Sequence, residues 1–94
     1  MNIRWSPEAA DDFASIVRHI REDNPTAALR VARTIYQGIA QLKSFPNLGR
    51  PGRVESTREL VFPQLPFIAV YRVKENVIEI AKVLHGAQRW PKTT

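Results

Sequence analysis

Cysteine is missing from this 94-residue chain, and methionine occurs once, at position 1. Without thiols there is no disulfide to brace a small core and no thiolate to hold a metal, and nothing points to an oxidising compartment. Histidine occurs only at positions 19 and 85, and two imidazoles without cysteine give no metal-ligand spacing. No apolar run approaches the ~20 residues that cross a bilayer, and Met1-Asn2-Ile3-Arg4-Trp5 lacks the apolar core of a secretion signal. There is no phosphate-cradling glycine loop or dinucleotide fingerprint, and Ser6, Ser15, Ser44 and Ser56 stand in no nucleophile-elbow sequence. These gaps argue against metal and serine hydrolases and against membrane proteins. They leave a soluble, cytoplasmic domain without cofactor as the expectation.

What is present suits one compact domain over residues 1–94, because 44% of the residues are hydrophobic and the length holds one core of ordinary size. The net charge of +5 is unevenly spread. Residues 1–25 carry Arg4, Arg18 and Arg21 against Glu8, Asp11, Asp12, Glu22 and Asp23, so the basic excess lies in the rest of the chain. A body of that kind attracts phosphate backbones or acidic protein segments, and composition does not separate the two.

Residues 2–5 read as a short strand closed by Ser6-Pro7-Glu8, which joins a capping serine, a first-turn proline and an acid into a helix start. Phe13, Ile16, Val17 and Ile20 then follow at i, i+3, i+4 and i+7, an apolar stripe that runs to about Asp23. Asn24-Pro25 repeats the start signal, so a second helix begins at once. Its apolar face is Ala28, Ala32, Ile35, Ile39 and Leu42, with Pro46 forcing its end and Gly38 a weak point costing about 1 kcal/mol relative to alanine. Residues 46–52 read as an exposed basic loop with Arg50 and Arg53 around its glycines. Residues 59–62, 67–73 and 77–84 read as strands, Pro63 and Pro66 marking a bend or an edge. A two-residue turn at Glu75-Asn76 sets Arg72 opposite Glu79, which neutralises the one charge inside the central strand. The expected architecture is α+β: an N-terminal strand and an antiparallel helix hairpin packed on a small, mainly antiparallel β-sheet.

Candidate chemistry gathers late in the chain. Arg50, Arg53, Arg58, Lys82, Arg89 and Lys92 are the cations that such a sheet can present to phosphates through charge-assisted hydrogen bonds, although Lys82 also reads as simply solvated. Gln88, Arg89 and Trp90 offer an amide, a cation and a large π surface in succession, suited to stacking on a base; packing on the core is the competing reading of Trp90. His85, at the end of the last strand, is either a general base or a structural hydrogen-bonder, and His19 lies off the apolar stripe.

In order and spacing, Ser6-Pro7-Glu8-Ala9-Ala10-Asp11-Asp12-Phe13, Phe45-Pro46-Asn47-Leu48-Gly49-Arg50-Pro51, Arg58-Glu59-Leu60, Ala69-Val70-Tyr71-Arg72-Val73 and Val83-Leu84-His85 resemble the RelE/ParE superfamily of toxins from bacterial type II toxin–antitoxin modules. The resemblance covers nearly the whole chain. It implies a small cytoplasmic toxin, associated with plasmid stabilisation and growth inhibition, and held inactive by a cognate antitoxin whose partly disordered tail folds onto it. RelE-like members cleave messenger RNA on the ribosome without a metal, using an arginine late in the strand that here ends Leu60-Val61-Phe62-Pro63 and basic residues after the final strand, where this chain has Gly86-Ala87. ParE-like members poison DNA gyrase and lack that set. The resemblance therefore favours a gyrase poison, with target or phosphate contacts at Arg50, Arg53, Arg58, Gln88 and Arg89. The alternatives are an endoribonuclease using His85, Arg89 and Trp90, and a non-toxic antitoxin-binding remnant.

Overall fold

The computed structural model describes residues 1–88 and 90–91. Asn2–Trp5 forms β1, and Ser6 closes it while capping α1 (Pro7–Asp23), the Ala9 N–H donating to the Ser6 hydroxyl oxygen at 3.0 Å. Proline inside the first turn forfeits only an N–H that has no helical partner. Asn24 repeats the arrangement for α2 (Pro25–Ala40): its side-chain oxygen accepts from the Ala27 N–H at 3.0 Å, while its own N–H closes α1 on the Ile20 carbonyl. One residue thus ends one helix and starts the next. α2 stops before Pro46 is reached, because residues 41–43 tighten into a 3₁₀ turn in which the Ser44 and Phe45 N–H groups both donate to the Gln41 carbonyl.

The sheet adds β2 (Arg50–Pro51), β3 (Arg58–Val61), β4 (Phe67–Val73) and β5 (Val77–His85), in the spatial order β1-β5-β4-β3-β2. Only β1 runs parallel to its neighbour, β5. Three boundaries differ from the sequence reading. The basic loop contains the short strand β2, β5 extends to His85, and β3 starts at Arg58 and ends before Phe62. Phe62 leaves the sheet to bury its ring against α2, where a Cβ on Gly38 would lie 2.7 Å from it. The glycine that weakens the helix is what admits the phenylalanine.

Arg72 stands opposite Glu79, and the Lys74 N–H donates to the Val77 carbonyl at 2.8 Å across the two-residue turn. The register is as expected, but Glu79 bonds Arg4 (3.2 Å) and Lys74 (3.3 Å). β1 flanks β5 on its other side and brings Arg4 opposite the same carboxylate, a pairing that local spacing does not contain.

Leu60, Ala69, Tyr71, Ile78, Ile80 and Val83 face the helices and pack with Ala9, Val31, Ile35, Ile39 and Leu42. Phe13, Ile16 and Ile20 of α1 are half-buried against this core. On the opposite face Ile68, Val70 and Leu84 form a second, small cluster under Trp90. β1 covers β5 only as far as Ile80; beyond it α1 takes over the edge. The Ser6 N–H donates to the Ile80 carbonyl, the Ser6 hydroxyl to the Ala81 carbonyl, and the Val83 N–H to the Asp12 carboxylate at 3.0 Å. A sheet edge that would otherwise invite another strand is closed by a helix.

Candidate macromolecule-binding surface

Glu59 organises the basic loop. It lies on β3, only 2% exposed, and receives the Arg50 guanidinium at 3.1 Å, the Arg53 guanidinium at 3.1 Å and the Arg53 backbone N–H at 2.9 Å. Burial on its own raises the carboxyl pKa, but the Arg53 backbone bond and then the two guanidinium groups outweigh it and hold Glu59 below its ordinary value. Arg58, the third arginine, donates to the Gly49 carbonyl at 2.6 Å and to the Asn47 carbonyl at 3.4 Å. The buried Tyr71 hydroxyl completes the fastening, donating to the Pro46 carbonyl and accepting from the Gly49 N–H, both at 2.8 Å. A side chain at position 49 would press to 2.8 Å on the Glu59 carbonyl and the Tyr71 ring, so glycine is required there.

The structure therefore brings Arg50, Arg53 and Arg58 together and gives each an internal acceptor. Arg50 keeps the most freedom, its side chain 56% exposed and bonded to Glu59 through one nitrogen. The sequence reading missed Glu59 and Tyr71. A carboxylate inside the apolar strand, in a chain rich in arginine just upstream, was the available signal.

His85 and Gln88 lie elsewhere. Arg58 pairs with Tyr71 and His85 with Phe67, four residues apart along β4, which is about 13 Å at the usual strand rise. The His85 Nδ1 accepts from the Ala87 N–H at 3.1 Å, and its ring meets Phe67 edge to face with centroids 5.9 Å apart. The Nδ1 is thereby engaged with the backbone of its own turn. The Gln88 side-chain oxygen accepts from the His85 N–H at 3.3 Å, closing the turn after β5. Arg89 and Lys92 lie outside the described residues.

Trp90 sits on Ile68, Val70 and Leu84, with the Lys82 ammonium 5.9 Å from its ring centroid. Its Nε1 is buried and finds no acceptor among the described residues. Lys82 is not the solvated cation that the sequence allowed. It is 14% exposed and bonds Glu8 at 3.1 Å and Asp12 at 3.3 Å. Burial by itself lowers its pKa, and the two carboxylates overcome this and raise it.

Beside the basic loop, a groove of about 610 Å³ opens between α2 and β3, walled by Gln37, Gln41 and Leu48, floored near Gly38 and Phe62, with Arg50 at one end. Among the described residues no helix is long and apolar enough to cross a membrane.

The fold is similar to that of a solved structure described as the chromosomal ParDE TA system from P. aeruginosa. The TM-score is 0.82, at 30% sequence identity over 90% of this chain and 95% of that one. "Putative toxin Y4kP" of Sinorhizobium fredii is 42% identical over 90 residues, 96% of this chain and 93% of its own length. The family model described as ParE toxin of type II toxin-antitoxin system, parDE, matches residues 3–90. This chain belongs to the ParE toxin family, and a cognate antitoxin is the partner that this family implies.

Proposed function

We propose that this protein arrests growth by binding and trapping DNA gyrase without cleaving a nucleic acid, and that an antitoxin neutralises it by covering the binding surface. The observation that carries this reading is the internal engagement of the basic loop: Arg50 and Arg53 close on Glu59, and Arg58 closes on two carbonyls. A ribonuclease needs cations free to meet charge that develops on a phosphate, beside a base able to take the 2′-hydroxyl proton. Here Arg53 and Arg58 are engaged within the loop, Arg50 spends one nitrogen on Glu59, and His85 lies at the far end of β4 with its Nδ1 already bonded. Contact with the target then falls to the half-exposed Arg50 and to the turn after β5, with His85 and Gln88, acting as a recognition surface rather than as a catalytic set.

Expression in cells tests the proposal. A gyrase poison induces the DNA-damage response while translated messages stay intact. Primer extension that finds cuts at the ribosomal A site, lost in His85→Ala, would establish the nuclease reading in its place. Unimpaired survival of cells that make the chain without antitoxin would identify a non-toxic remnant.

A further inference from the structure

Arg72 is the cation that the sheet leaves over. It lies on β4, the middle strand of the five, and its cross-strand neighbour Glu79 is the counterion that local spacing offers it. That carboxylate is taken instead by Arg4 at 3.2 Å and by Lys74 at 3.3 Å. Half-buried Arg72 makes no ion pair or side-chain hydrogen bond among the described residues. Its charge adds no internal pairing to the fold and is available to a ligand.

Side chains alternate along β4, so Ala69 and Tyr71 face the helices, while Ile68, Val70 and Arg72 face the other way. Pairing carries that second face across the whole sheet. Arg4 lies opposite Glu79 and Glu79 opposite Arg72; Val70 lies opposite Glu59 and Glu59 opposite Arg50. Arg4 and Arg50 thus stand on the two edge strands, each two strands from Arg72. With strands about 4.8 Å apart, the three arginines cross the sheet at steps of about 10 Å or a little more. Arg4 is 61% exposed and spends one nitrogen on Glu79, as Arg50 does on Glu59. Lys74 and Arg53 flank the row, so five cations share two carboxylates, Glu59 and Glu79. Both helices pack on the opposite face, and Trp90 covers only the end over Ile68, Val70 and Leu84.

The spacing specifies the occupant. A single small phosphate requires cations that converge, whereas these are spread over about 20 Å, a span that matches a stiff backbone carrying one charge per ~1.7 Å of axis. Single strands are held by aromatic platforms set among the cations. None of the described aromatic rings lies in this row: Tyr71 turns to the helices, and Trp90 is packed at the other end with Lys82 against it. We propose that the uncovered face of the sheet binds the phosphate backbone of duplex DNA without regard to sequence, with Arg72 as the central contact and Arg4 and Arg50 on either side. The proposal adds nucleic acid as a partner of the chain itself. It does not depend on the gyrase reading, since its test contains no other protein.

The test is fluorescence anisotropy of labelled duplexes of unrelated sequence, titrated with the purified full chain over a series of salt concentrations. Three phosphate contacts predict similar affinities for all duplexes and a log–log salt slope of about −2.7. Arg72→Gln is expected to make the slope shallower by about one and to weaken binding roughly tenfold at about 50 mM salt. Arg72→Lys keeps the charge and should restore the slope, which a mere disturbance of the sheet would not allow. Arg4→Gln, at an exposed edge position, should act like Arg72→Gln and keeps the proposal open to refutation if position 72 does not tolerate glutamine. Arg21→Gln, exposed on α1, should leave the slope near the wild-type value. Absence of binding at about 50 mM salt would overturn the proposal. So would equal losses in Arg72→Gln and Arg21→Gln, which would reduce the attraction to net charge. Tighter binding of a single strand or of duplex RNA than of duplex DNA would also overturn it. DNA binding by a chain that leaves supercoiling unimpaired would uphold this inference and remove the gyrase reading alone.

Discussion

Glu59 receives three donors on two of its neighbours' groups, and removing its charge should be felt through all of them. Glu59→Gln preserves volume but turns an amide NH₂ toward a guanidinium, and the expected cost is about 1–3 kcal/mol in urea unfolding. The pH dependence follows from the lowered pKa of Glu59. A carboxyl depressed in the folded state contributes its full stability above the unfolded value and loses it as pH falls toward the folded value. The wild-type chain should lose stability through that acid window, and Glu59→Gln should flatten the slope there; an unchanged slope would show that other carboxyls govern acid unfolding. Tyr71→Phe leaves the Pro46 carbonyl and Gly49 N–H without their buried partner. It should also cost about 1–3 kcal/mol, and should speed exchange of the Gly49 amide.

Among the elements, Gly38→Ala distinguishes helix propensity from packing. Propensity alone promises up to about 1 kcal/mol of gain, yet the new methyl meets the Phe62 ring at 2.7 Å. We expect the thermal midpoint to fall, by an amount equivalent to about 1–2 kcal/mol; a rise would show that Phe62 moves aside at little cost. Asp12→Ala removes the acceptor for the Val83 N–H and one partner of Lys82, and should cost about 1–3 kcal/mol while leaving α1 helical by circular dichroism. Such contacts mark the limit of legibility. The doubled serine- and asparagine-proline signals define both helix starts because capping is local, and the Glu75-Asn76 turn sets the β4–β5 register from Val73 to Tyr71 for the same reason, beyond which the register shifts by one residue. The parallel placement of β1, the seating of Asp12 on β5 and the closure of Arg50 and Arg53 on Glu59 were hidden, since each joins groups whose approach depends on the assembled sheet. The cations of the candidate site were visible as residue types; their partners were not.

At the scale of the whole molecule, the helices shield one face of the sheet, Trp90 shields part of the other, and the basic loop is fastened to the β3 end. Among the described residues Arg50 and the turn after β5 stand at separate places, an arrangement that suits the recognition surface proposed above better than a compact reaction centre. That separation is the central claim, and it is tested most directly by titrating the purified chain, wild type beside His85→Ala, into a DNA gyrase supercoiling assay. The account predicts that both proteins inhibit supercoiling at similar concentrations, because the imidazole performs no chemistry. Supercoiling that proceeds normally at high concentrations of the wild-type chain would contradict it.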